Sequence, residues 1–133
     1  MASSFTKVVK LKRVLVVEDH DEFRSIVNDL LKALLPQAQI SNAHNGQEGL
    51  EMALAERPNL ILLDIHMPMM DGYEMALALQ EQYGQALPPL LAMTNARDGG
   101  PTILRMRSLC KIVLIKPFSL DDLEEALKLA IDD

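Results

Sequence analysis

Apolar residues follow two alternating textures along this chain. Short unbroken runs, Val14-Leu15-Val16-Val17, Leu60-Ile61-Leu62-Leu63 and Ile112-Val113-Leu114-Ile115, stand between longer stretches with apolar positions three or four apart. A run of four fits a strand buried on both faces, and the wider spacing fits a helix with one inward stripe. The runs predict strands over residues 12–18, 60–63, 90–93 and 112–115, with a weaker one over 38–42. Phe23, Val27, Leu30, Leu31 and Leu34 stripe a helix over 21–35, which Pro36 closes. A turn at Asn45-Gly46 leads to a second helix over 47–56, with Leu50, Ala53 and Leu54 inward. A third helix spans 73–83 with Gly84 as its stop, and a fourth spans 101–109. Ser119 caps the last helix, with Asp121 and Asp122 in its first turn, where acids suit the helix dipole.

Five β/α units in succession define an α/β chain. They predict a doubly wound, five-stranded parallel sheet with helices on both faces, because each crossover is right-handed. No internal linker, repeat or low-complexity segment divides it. Residues 1–10 read as a short mobile arm and 11–133 as one domain, within a chain of 133 residues.

Composition narrows this picture. There is no Trp, with two Tyr, three Phe and eight Met, so the core is aliphatic with methionine as its adaptable filler. A net charge of −6 speaks against general nucleic-acid binding, which needs a basic face. The single cysteine, Cys110, has no internal disulfide partner and reads as a small buried hydrophobe in a reducing compartment. No segment approaches the roughly 20 apolar residues of a membrane span, and the N-terminus lacks a secretory apolar stretch. The expected location is the cytoplasm.

The candidate chemistry stands where the apolar runs end. Glu18 and Asp19 follow the first strand, Asp64 the third, Thr94 the fourth and Lys116 the fifth. Open α/β sheets place their sites at the C-terminal ends of strands. Glu18 and Asp19 alone would read as a helix cap and a solvated acid, and Thr94 alone as a strand-end hydroxyl. Their joint register reads as a site.

The acidic pair, the stretch Asp64-Ile65-His66-Met67-Pro68-Met69-Met70-Asp71-Gly72, the hydroxyl of Thr94 and the run Lys116-Pro117-Phe118 resemble the receiver domain of bacterial response regulators. The resemblance covers residues 11–133. It implies a flavodoxin-like fold with strand order 2-1-3-4-5 and a Mg²⁺-dependent phosphoacceptor role for Asp64. Physical chemistry agrees: phosphoryl transfer needs a nucleophile, neutralised oxygens and alignment, and crowded carboxylates favour a hard cation. By resemblance Asp19 and Asp64 bind the metal directly, Glu18 acts through water, and the His66 backbone carbonyl completes the set. Lys116 pairs with a phosphoryl oxygen, Thr94 binds another after phosphorylation, and Lys116-Pro117 is cis.

The implied donor is a sensor histidine kinase or a histidine phosphotransfer protein, docking near His20, Asp21 and Arg24. Output is expected through a downstream protein, since no DNA-binding module follows Asp133 in this sequence, unless it is part of something longer. The chain is expected to assist its own phosphorylation and dephosphorylation without being a stand-alone enzyme. Two rival readings are an unphosphorylated interaction module and an aspartate-nucleophile phosphatase. The phosphatase wants an acid at position 66, where this chain has His.

Several positions depart from the family pattern. Val113 stands where an aromatic switch residue is common, and Leu109-Cys110-Lys111-Ile112 replaces a Gly-Ala pair. Gly99-Gly100-Pro101 predicts a longer, looser loop over 95–101 and a shortened fourth helix. Arg97, Arg105, Arg107 and Lys111 oppose Asp121, Asp122, Glu124 and Glu125, a face that reads as ordinary solvated surface or as one suited to another protein or to a homodimer through the fourth helix, fifth strand and fifth helix. Met67, Pro68, Met69 and Met70 read as loop and core packing, and Gly72 as backbone freedom. His20, His44 and His66 lack zinc-ligand spacing, and the His66 side chain reads equally as a group beside the phosphoryl position that tunes water access and as a solvent-exposed residue.

Overall fold

The structure is a computed structural model that describes residue 8, residues 10–95 and residues 100–131. Five parallel strands, β1 (Arg13–Val17), β2 (Gln39–Ala43), β3 (Leu60–Asp64), β4 (Leu90–Thr94) and β5 (Ile112–Ile115), pair in the order β2-β1-β3-β4-β5. The helices are α1 (Asp21–Leu34), α2 (Gly46–Ala55), α3 (Gly72–Tyr83), α4 (Pro101–Met106) and α5 (Leu120–Ile131). This is the doubly wound arrangement that the sequence predicts.

Strand periodicity explains why β3 tolerates no polar residue before Asp64. Leu60 and Leu62 face the α1 and α5 side, packing with Val14, Val16, Val27, Leu31, Leu123 and Leu127. Ile61 and Leu63 face the other side, with Leu15, Val17, Met75, Leu79, Ile103 and Met106. Both faces of the central strand are dry, and each buried leucine contributes about 2 kcal/mol of apolar transfer.

Several boundaries and roles differ from expectation. Asn45 caps α2 through its side chain, which accepts from Glu48 N at 2.8 Å, so Gly46 is the first helical residue rather than part of a turn. The fourth helix ends at Met106, shorter still than the predicted 101–109, and begins at Pro101 as expected. Gly84 terminates α3 with φ of 56° and leads into a 3₁₀ turn over Gly84–Ala86. Val8, inside the segment predicted as a mobile arm, is buried in the α1/α5 core and accepts a hydrogen bond from Leu11 N. Cys110 is half-buried against the opposite core, and burial pushes its thiol up. Ala96 to Gly99, most of the predicted loose loop, lie outside the described residues.

Candidate functional site

Parallel register brings the polar strand ends to one rim. Val17 sits beside Leu63, Asp64 beside Met93, and Thr94 beside Ile115, so Glu18, Asp19, Asp64, Thr94 and Lys116 converge at the C-terminal edge of the sheet. The rim carries all five predicted residues, and the side chains of Glu18, Asp19, Asp64 and Lys116 meet there. Asp64 is 5% exposed and Thr94 is buried. Glu18 is fully buried and Asp19 exposed.

One lysine serves two of the acids. Lys116 Nζ lies 2.6 Å from Glu18 Oε1 and 3.1 Å from Asp64 Oδ2, with its side chain 14% exposed. Asp64 Oδ1 accepts from the backbone N–H of His66 at 3.2 Å, and Glu18 Oε2 from that of His20 at 3.1 Å. Desolvation pushes the Glu18 carboxyl above its ordinary range, with the nearby Asp64 charge adding to the rise. The hydrogen bond from Lys116 opposes it without cancelling it. Sequence reading reserves Lys116 for a phosphoryl oxygen; here the ammonium neutralises Glu18 and Asp64 together. The Lys116-Pro117 peptide is cis, as the resemblance implies.

The β1–α1 loop is held by Arg24, which donates to the Glu18 carbonyl at 2.7 Å and to Asp21 Oδ1 at 2.6 Å. That guanidinium keeps the exposed Asp21 carboxyl below its usual range. The cap of α1 is His20, whose Nδ1 accepts from Phe23 N at 3.2 Å, rather than either acid.

The β3–α3 loop is shaped by a tight turn. Met70 N donates to the Pro68 carbonyl at 2.8 Å around Met69, whose φ is 68°. This is a γ-turn in its strained hand. Met67 is buried as expected, whereas Met69 is 88% exposed and packs on nothing in the core. Gly72 answers a need for space: a Cβ there would meet the Asp64 carbonyl oxygen at 2.5 Å and Ile65 Cα at 2.9 Å. Its φ lies outside the left-handed region, so conformational freedom is not the reason for glycine.

Glu18, Asp19 and Asp64 each offer a carboxylate oxygen, and these atoms lie within 4.8 Å of one another. Oxygen-only donors of this kind suit a hard divalent cation such as Mg²⁺, and a single ammonium leaves the three acids with excess negative charge. The donor set fits the metal.

Fold and site together define a receiver. The chain belongs to the response regulator receiver domain family, whose model matches residues 14–128. It is 28% identical over 117 residues to the probable C4-dicarboxylate response regulator DctR of Bacillus subtilis, covering 87% of this chain and 50% of that protein. It is 30% identical over 129 residues to the transcriptional regulatory protein PdtaR of Mycobacterium tuberculosis, covering 90% and 57%. The chain thus spans about half the length of these curated relatives. The chemotaxis protein CheY4 of Vibrio cholerae superposes with a TM-score of 0.79 at 26% identity, covering 91% of this chain and 99% of that one. The receiver domain of a Pseudomonas aeruginosa sensor histidine kinase, with magnesium in its active-site cleft, has the same fold: TM-score 0.81, 23% identity, coverage 92% and 98%. Among the described residues no helix is long and apolar enough to cross a membrane.

Proposed function

We propose that this receiver accepts a phosphoryl group on Asp64 from a phosphohistidine and signals the change through protein contacts. The observation that carries the reading is the setting of Asp64, a nearly buried carboxylate between the Lys116 ammonium and the β1 acids. In the reaction an Asp64 oxygen attacks phosphorus and the P–N bond breaks. Its electron pair goes to the imidazole, which takes a proton from solvent. Water attack on the acyl phosphate later releases inorganic phosphate and restores the carboxylate.

Glu18, Asp19, Asp64 and the His66 carbonyl would hold Mg²⁺. When bound, the cation supplies positive charge against the oxygens of the transferring group. Lys116 exchanges a carboxylate contact for a phosphoryl oxygen, and the Thr94 hydroxyl donates to another. The added charge and acceptors then shift a two-state equilibrium of the domain.

The donor is a sensor histidine kinase or histidine phosphotransfer protein, which goes with a cytoplasmic location. The output face is formed by α4, β5 and α5, where Leu104, Ile115 and Leu120 are exposed, and it suits a downstream protein or a second copy. Intact mass after incubation with a small acyl-phosphate donor, with and without Mg²⁺, tests the reading. Wild type gains one phosphate only with Mg²⁺, and Asp64→Ala gains none. A wild type that stays unmodified overturns it.

A further inference from the structure

Phe23 does more than its place in the α1 stripe requires. Helical spacing accounts for it as an apolar residue, half-buried against the α1/α5 core. Its ring also lies beneath the lysine of the site, with Lys116 Nζ 4.7 Å from the ring centroid. That ammonium has Glu18 and Asp64 on its other sides and little access to water. A lysine head carries three N–H donors in compact form. The two carboxylates leave one side of it to be met, and the negative face of an aromatic ring meets it better than an aliphatic surface does.

The ring is itself fixed in place. Phe118, two residues beyond Lys116, meets it edge to face, with centroids 5.5 Å apart and planes at 89°. The Phe23 backbone N–H donates to His20 Nδ1, which sets the first turn of α1 directly after the β1 acids. The ring therefore joins the loop that carries the acids to the loop that carries the lysine.

We propose that Phe23 is a positioning residue for Lys116. Its face holds the ammonium at the junction of Glu18 and Asp64, so that the lysine reaches a phosphoryl oxygen by a short swing instead of a search through solvent. This rests on the phosphoacceptor reading of Asp64 and adds a residue to that reaction. Leucine at position 23 fills much of the same core space and offers the ammonium nothing.

Two measurements test it on wild type, Phe23→Leu and Phe23→Tyr. In protein carrying ¹³C at the lysine ε-carbons, with Lys116→Arg identifying the resonance, the Lys116 ε-protons should be shifted upfield by the ring. The shift is expected in wild type and Phe23→Tyr and lost in Phe23→Leu. With a small acyl-phosphate donor and saturating Mg²⁺, Phe23→Leu is expected to be phosphorylated about threefold to tenfold more slowly, the range such a contact supports, and Phe23→Tyr within about twofold of wild type. A wild-type resonance without the upfield shift overturns the proposal, as does a folded leucine variant with the wild-type rate. The resonance is read without any phosphoryl donor. A wild type that never gains phosphate therefore removes the phosphoacceptor reading separately, and the resonances of wild type and Phe23→Tyr decide the seat if Phe23→Leu does not fold.

Discussion

Lys116 donates to Glu18 at 2.6 Å across 98 residues of sequence, joining the ends of β1 and β5 over the tip of β3. The carboxylate is fully buried and the ammonium nearly so, and each is a counter-charge held against the other. This pair is part of the architecture of the rim as well as of its chemistry.

Removing the lysine alone leaves Glu18 and Asp64 facing each other without a counter-charge. Lys116→Met is expected to destabilise the metal-free protein by about 3 kcal/mol, the cost of stranding a buried partner. In a Glu18→Gln background the same change should cost less, because only Asp64 is then left without its counter-charge. Urea denaturation of the four proteins measures the coupling. Equal losses in both backgrounds would reject charge as the cause.

The raised carboxyl of Glu18 gives stability a definite pH dependence. Its folded-state value lies above the ordinary 4.5, so the folded protein binds that proton more tightly than the unfolded chain. The stability this group provides is present below 4.5 and is lost as pH rises through the raised folded value. Without metal, Glu18→Gln should melt higher than wild type at pH 7, and the gap should close as pH falls toward 4.5. Thermal melts in chelator across that range check it; a wild type more stable than the variant at pH 7 contradicts it. Added Mg²⁺ should raise wild type more than the variant, since binding to the folded state stabilises it.

At Met69 a left-handed backbone and an unpacked side chain coincide. Asparagine tolerates this region better than methionine, and a β-branched residue worse. Met69→Asn is expected to stabilise by about 0.5 kcal/mol and Met69→Val to destabilise by about 1 kcal/mol, from the local penalty alone. Chemical denaturation should give the order Asn, Met, Val. The reverse order would show that the turn relaxes at no cost.

What was legible in the sequence is what short-range pattern encodes. Leu60-Ile61-Leu62-Leu63 announces a strand and proves dry on both faces, whereas the same texture in Ile112-Val113-Leu114-Ile115 belongs to the edge strand, with Ile115 exposed. The polar residue ending each run then marks the rim, which is why Glu18, Asp19, Asp64, Thr94 and Lys116 were readable together. Pairings across the chain were not. Nothing local says that Lys116 rests on Glu18, or that Phe23 turns its face to that lysine, because its stripe position already explains an apolar residue. Gly72 is illegible for a related reason: glycine signals freedom or space equally, and only the neighbour's carbonyl decides between them.

That carbonyl links helix stability to the phosphoacceptor. Gly72 N donates to Ile65 O at 2.8 Å, seating the start of α3 directly on the end of β3. A methyl group at 72 has to push the Asp64 carbonyl away, so Gly72→Ala is expected to cost about 2 kcal/mol by overpacking. It should also slow phosphorylation, because the displaced backbone carries the nucleophile. Asp71→Ala is the matched control. Its side chain accepts from Glu74 N at 2.8 Å in a reciprocal cap, and losing that costs about 1 kcal/mol without touching β3. Melting curves and phosphorylation rates should therefore separate the two: both variants lose stability, and only Gly72→Ala loses rate. Equal slowing in both would mean that α3 stability, not the placement of Asp64, governs the reaction.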